Sequence, residues 1–328
     1  MNTKESSIAF CLRAGLRAEE ERRQVARILR EMGFPVREIA DGPWDPDQDK
    51  VLLVLGNLNW FPRLRRQLLQ RGRPPGSLVA IWHYEPLPPP KASGLRWPLP
   101  TLRETAKLLL RDRRATDVYT NYFLLRRLAR RRLPDVLAVS TRGRVDFLAE
   151  RSIESYHVPL GYSPGYGRDL GLRRDVDALF LGERGIPRRR RILAGLRKAG
   201  VNLTARGDWS DPALWGESRT ELLNRSKVLL HIQRLPMEFS GIRFILGMAN
   251  GALVISEPVY DACPFVAGRH FVSASVEEMP AVIRHYLEHE DERRRIVTEA
   301  YTFVTQQLTM ERSVSTLTDL IARCGGAR

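Results

Sequence analysis

Cysteine is nearly absent: Cys11, Cys263 and Cys324 are the only three in 328 residues. Their odd number, wide spacing and lack of metal-ligand pattern argue against a disulfide framework or a zinc site. Reduced thiols favour a cytosolic setting. Long apolar runs are missing too. No stretch reaches the ~20 residues needed to span a bilayer, and MNTKESSIAFCLRAG carries neither a secretory-length apolar run nor a small-residue cleavage site. The expectation is a soluble, cytoplasmic protein, or one resting on the inner face of a membrane. Lysine is scarce as well, at six of the 53 basic residues. With 38 acidic residues the chain still carries a formal charge of +15. Skewed codon usage produces arginine without functional demand, so part of the excess is discounted. The surplus nonetheless favours phosphates, whether on nucleotides, lipids or nucleic acid.

What is present alternates. Residues 8–12 are a short apolar run before Gly15, and 18–32 a helical stretch stopped by Gly33 and Pro35. Strands are expected at 36–40 and 51–56, the second (VLLVLG) continuously apolar, as strands of parallel sheets are. A basic helix at 62–71, a strand at 78–82 (LVAIW), a proline-rich loop at 86–100 and a helix at 102–111 follow. Next come a short strand at 117–120, a helix at 122–132, a strand at 136–140, a helix at 145–150 and a strand at 156–159. The segment PLGYSPGYG (159–167) has linker composition, and after it the pattern restarts. Strands at 177–182, 201–205, 227–231 and 270–272 are interleaved with helices at 187–199 and 218–224, and helices at 276–288, 291–308 and 310–324 end the chain. This alternation specifies an α/β protein with parallel sheets. The length suits two domains, expected at 1–165 and 166–308, with 309–328 a helix packing back on the first.

Within the second half, HIQRLPMEFSGIRFILGMANGALVISE (231–257) reads as a strand end, a loop, a short helix, a glycine turn and a second strand. Its polar interruptions, His231, Arg234, Glu238, Arg243 and Glu257, fall at strand carboxyl ends or at the helix start. Those positions converge on one crevice in open α/β sheets and favour an anionic, nucleotide-like ligand.

Three stretches resemble the two-domain GT-B glycosyltransferases, in particular the group-1-like branch that includes CgeB-type proteins. HVPLGYSPGYG is similar to that family's interdomain crossing, DALFLGERGIPRRRR to the strand and turn opening its donor domain, and EFSGIRFILGMANGALVISE to its donor-binding element. The resemblance implies two Rossmann-like domains facing across a cleft, a nucleotide-sugar donor, and no metal cofactor. Many retaining relatives carry a second glutamate eight positions after the first. Here Glu238 matches the first and Leu246 stands in place of the second, so the stereochemical outcome stays open.

Each candidate has a functional and a structural reading. Glu238 could accept hydrogen bonds from a sugar or ribose hydroxyl while Arg243 pairs with a diphosphate, a task suited to the planar guanidinium fork. The alternative is that Glu238 favours the helix dipole and Arg243 forms an interdomain salt bridge. Glu257 and His231, at strand ends, read as donor contacts or as buried structural groups. Gly241 reads as a close approach for phosphate, and Gly251 as turn geometry. Arg184, just past DALFLG, is a further diphosphate candidate. In the run Arg188–Arg191 the residues point in different directions, so most are expected in solvent. In the first domain, WHYEP (82–86) ends a strand; His83 and Glu85 are candidate general bases for an acceptor hydroxyl, or merely flank a proline loop. No convincing DxD-type metal pair is present, and helix dipoles with arginines can carry a leaving diphosphate. The expected function is transfer from a nucleotide-sugar to an acceptor that is anionic or membrane-associated, with nucleic acid disfavoured. The alternatives are a nucleotide-sugar epimerase and a non-catalytic basic module for nucleic acid or membrane surfaces.

Overall fold

The computed structural model describes residues 7–12, 20–94, 102–110, 118–207 and 214–326. The chain forms two compact units, residues 1–159 with 310–328, and residues 160–309.

The first unit is built on a six-stranded sheet, all parallel, in the order β2-β1-β3-β4-β5-β6. Its strands are β1 (Ile8–Cys11), β2 (Val36–Ile39), β3 (Val51–Leu55), β4 (Leu78–His83), β5 (Val136–Val139) and β6 (Tyr156–His157). Strands β1, β3, β4 and β5 are buried along their whole length, which explains their uninterrupted apolar sequence. The helices are α1 (Glu20–Glu31), α2 (Pro62–Arg71), α3 (Leu102–Leu109), α4 (Val118–Ala129) and α5 (Arg142–Ala149). Pro62 opens α2 at a position where a missing N–H costs nothing, and Gly72 closes it. The final helix, α11 (Met310–Gly326), also belongs here and packs on α1, β4 and β5. Its buried Met310, Val314, Leu317 and Ile321 recur at helical spacing.

One element differs in kind from the sequence expectation. Residues 118–120, expected as strand, are the first turn of α4. Val118, Tyr119, Tyr122 and Leu125 are buried at intervals of three and four, so the apolar run continues a helical stripe rather than beginning a strand. The loop after β1, including Gly15, lies outside the described residues.

The second unit carries a five-stranded parallel sheet in the order β11-β10-β9-β7-β8. Its strands are β7 (Val176–Leu181), β8 (Leu203–Arg206), β9 (Ser226–His231), β10 (Leu253–Ser256) and β11 (Val272–Ser273). They alternate with α6 (Pro187–Lys198), α7 (Gly216–Asn224), α8 (Gly241–Ala249), α9 (Met279–Glu288) and α10 (Glu290–Thr302). The single long helix expected at 291–308 ends at Thr302 and passes into a π-helical turn, 303–307. The segment of linker composition is fastened to this unit: Arg219 donates to the Gly165 carbonyl at 2.6 Å, Asn250 to that of Tyr166 at 2.9 Å, and Asn224 to that of Arg168 at 2.8 Å. The second unit therefore begins at Leu160, ahead of the expected 166. Among the described residues no helix is long and apolar enough to cross a membrane.

Candidate functional site

In the second sheet the chain runs from β7 outward to β8, then returns to β9 on the other side of β7. The carboxyl ends of β7 and β9 therefore flank a topological switch point, where the connecting loops part and leave a crevice. Arginines gather on the elements around it.

Arg189 spans the point. Its Nε donates to the Ile232 carbonyl after β9 at 3.0 Å, and Nη1 lies 3.5 Å from the Glu183 carbonyl after β7. Arg243, in the first turn of α8, reaches across to β7. Its guanidinium carbon sits 5.6 Å from the Phe180 ring centroid, and its side chain rests on the backbone at Gly182. A β-carbon at Gly182 would lie 3.1 Å from the Arg243 Cζ and closer still to Nη2, and φ there is +149°. Gly207, after β8, lies as close on the other side: a β-carbon there would come within 2.6 Å of the Gly182 carbonyl carbon. The two glycines let neighbouring strand-end loops and one guanidinium share a space that side chains would fill.

Helix α8 is aimed by its aromatic underside. Phe244 packs edge-on against His231 (5.2 Å between centroids), Phe239 (5.0 Å) and Phe265 (5.2 Å), and tilted on Phe271 (4.7 Å). Ser240, at the N-cap, makes no side-chain capping bond, so the positive end of the helix dipole adds to the two guanidinium charges. Burial and the charge of Arg189 both push the Arg243 pKa down, while Glu238 opposes them. Burial likewise lowers that of Arg189, with Glu238 acting against it and Arg234 with it. Arginine nonetheless stays charged at neutral pH, so two like charges are held together here at an energetic cost that an anion would relieve.

Glu238 thus faces both arginines electrostatically, from the loop that precedes α8. His231 is buried and its Nδ1 lies 3.0 Å from the Ser256 hydroxyl. Burial, then Arg243 and Arg189, drive its pKa well below the usual imidazole value, so the ring is neutral. A β-carbon added at Gly241 would meet its nearest neighbours, Phe265 and Phe239, at ordinary distances of 3.8 and 3.9 Å; no internal contact requires glycine there. Arg184 is exposed on the loop after β7.

Glu257 is placed differently. It is 3% exposed, and Arg188 grips its carboxylate with both terminal nitrogens, Nη1 at 2.9 Å. The Gln233 N–H donates to the same carboxylate at 2.8 Å, and Arg188 Nη1 also donates to the Gln233 carbonyl at 3.0 Å. Glu257 therefore ties α6 to the loop that leads to Glu238. Arg188 and Arg189 depart from the expectation of a solvated arginine run: Arg188 is half-buried and Arg189 buried, while Arg190 and Arg191 are exposed. A signal for Arg189 was there to be read, since it shares a helical face with Ile192, Leu193 and Leu196.

In the first unit, His83 ends β4, is 2% exposed, and has Nδ1 3.3 Å from the Gly56 carbonyl. Its Nε2 is buried without a hydrogen-bond partner. Burial and then Arg144 lower its pKa to about 3. Glu85, two residues on, is half-buried. Beside them Arg22, overlooked in the sequence, is buried with Nε on the Leu55 carbonyl (2.9 Å), Nη2 on the Tyr84 hydroxyl (2.9 Å), and its guanidinium over Trp60 (4.6 Å). Among the described residues no group of three or more His, Cys, Asp or Glu side chains is gathered as for a metal ion.

Residues 188–319 match the glycosyl transferase-like family, a segment that contains α8, Glu257 and nearly all of α6. No curated protein matches the chain in sequence. Solved structures match over almost its whole length. Sucrose-phosphate synthase from Thermosynechococcus elongatus aligns with a TM-score of 0.66 at 13% identity, covering 99% of this chain and 100% of that one. Anabaena HepE, solved in complex with UDP-glucose, gives 0.63 at 10% identity over 97% and 100%. A glycosyltransferase from Rickettsia africae gives 0.61 at 11% identity over 99% of each.

Proposed function

From the premise that the chain has the GT-B fold of glycosyltransferases, we propose that it transfers a glycosyl group from a nucleotide-sugar to an acceptor hydroxyl. The observation that carries this reading is the placement of Arg189 and Arg243 at the switch point: their guanidinium carbons lie 5.8 and 5.6 Å from the Phe180 ring centroid, the charge of Arg189 helps to lower the Arg243 pKa, and both lie beside the positive end of α8. A diphosphate fits that placement: its charge offsets both cations, and its departure as a leaving group is stabilised by groups already in place. Arg184 would add a third contact from solvent, Glu238 would accept from a ribose or sugar hydroxyl, and Gly241 would let a phosphate oxygen approach backbone N–H groups. UDP-glucose bound to HepE belongs to a protein of the same fold, which supports a nucleotide-sugar here without fixing base or sugar.

The acceptor is assigned to the first unit. Of the two candidate bases, Glu85 fits better than His83, whose enclosed, weakly basic ring is poorly suited to receiving a proton from a substrate. The test is a panel of UDP-, GDP- and TDP-sugars at millimolar concentration, read by thermal shift and by hydrolysis without acceptor. At least one should stabilise the protein, and Arg243→Ala should diminish the shift. No shift with any nucleotide removes the donor reading; an undiminished shift in Arg243→Ala moves the site elsewhere. Glu85→Gln should keep donor binding and lose turnover.

A further inference from the structure

Helix α3 has an apolar face that the rest of the unit leaves in solvent. Leu102 is 91% exposed, Leu109 78% and the adjoining Leu110 80%, and Ala106 between them is exposed as well. At 100° per residue these positions fall within about 100° of arc, so they form one stripe rather than scattered exposures. Leucines exposed to this degree in one stripe mark a contact surface.

The surrounding sequence indicates what covers it. From Lys91 to Arg132 there are twelve basic and three acidic residues, a net of +9 against +15 for the whole chain. More than half of the protein's charge surplus therefore resides in 42 residues that include the exposed stripe. Arg126, Arg127, Arg130, Arg131 and Arg132, at and beyond the end of α4, are all exposed and none forms an ion pair among the described residues. An apolar stripe within a segment of strong net positive charge is complementary to a layer that is apolar below and anionic above. A helix of eight residues is about 12 Å long and lies along such a layer rather than through it. We propose that α3 docks the protein on the surface of an anionic lipid bilayer, with the leucines entering the acyl boundary and the net positive charge of the segment drawing it to headgroup phosphates.

The proposal concerns the first unit and is independent of what the second unit binds. It is tested by flotation of the full chain with vesicles of phosphatidylglycerol and phosphatidylcholine in equal parts, and with phosphatidylcholine alone. The wild type should float with the mixed vesicles, more weakly as salt is raised, and stay behind with phosphatidylcholine. The Leu102→Ser/Leu109→Ser/Leu110→Ser variant should keep its thermal midpoint, because these side chains are already in water, and should lose about tenfold or more in partitioning. Three results overturn the proposal: no binding of the wild type to mixed vesicles; equal binding by the triple variant, which makes the attraction one of charge alone; and a wild-type dimer that the variant converts to monomer without either binding lipid, which makes the stripe a contact between copies. A fall in the variant's midpoint would point to an internal packing role, and would likewise overturn it.

Discussion

Replacing Glu257 separates a structural clasp from a ligand contact. The carboxylate is enclosed and accepts from both terminal nitrogens of Arg188 and from the Gln233 N–H. Glu257→Ala leaves a guanidinium and a backbone donor without their partner. Removing one member of a fully buried ion pair costs about 3–5 kcal/mol. The Arg188 side chain is 29% exposed, so water recovers part of that, and a loss of about 2–3 kcal/mol is expected. For a unit of this size the thermal midpoint should fall by about 5–10 °C. Equilibrium urea unfolding gives the free energy, and a double-mutant cycle with Arg188→Ala should return a coupling of about 1–3 kcal/mol. Nucleotide affinity should fall only as far as the 233–240 loop loosens. If Glu257→Ala costs less than about 0.5 kcal/mol while nucleotide binding collapses, the carboxylate serves the ligand and the clasp reasoning is wrong.

Arg243→Ala should weaken nucleotide-diphosphate binding by about 1.5–3 kcal/mol, the range of a charge-assisted hydrogen bond. It should leave the midpoint of the unliganded protein unchanged or raised, because a like charge beside Arg189 is removed; calorimetry with and without nucleotide reads both. Gly182→Ala places a methyl against the Arg243 guanidinium and should reproduce the affinity loss of Arg243→Ala with a destabilisation of about 1–3 kcal/mol added. His83 and His231 have folded-state pKa values below the unfolded imidazole value of about 6.5. The unfolded chain therefore binds more protons below that pH, and stability should fall on acidification by up to about 1.4 kcal/mol per pH unit for each histidine. Urea titrations between pH 7 and pH 5 should show a shallower decline in His83→Asn.

Most of the fold could be read from the chain because parallel strands buried on both faces are written as short unbroken apolar runs. VLLVLG, LVAIW and DALFLG fall on β3, β4 and β7. Strand order was not legible, since placing β1 between β2 and β3 depends on crossover geometry rather than on any residue. The stretch 118–120 failed because three residues cannot distinguish a period of two from one of 3.6; only Tyr122 and Leu125 beyond them do. At the candidate site, the strand-end positions of His231 and Glu257 were legible because chain position alone marks them. Arg189 and Arg188 were missed because an arginine run carries a prior of solvation, which a single buried helical face overrode. Glu257 was visible as a strand-end carboxylate, yet its partner lies 69 residues earlier, and no local pattern joins the two.

The place of α11 in the first unit sets an order for biosynthesis. Residues 160–309 are continuous and can close as soon as Thr309 has left the ribosome. The first unit must wait, because Val314, Leu317 and Ile321 belong to its interior and are made only after the whole of the second unit. Until then the faces of α1, β4 and β5 that α11 covers stand open to water. The half that is synthesised first is thus the half that matures last, and in the interval it offers chaperones an apolar surface that the finished protein no longer has.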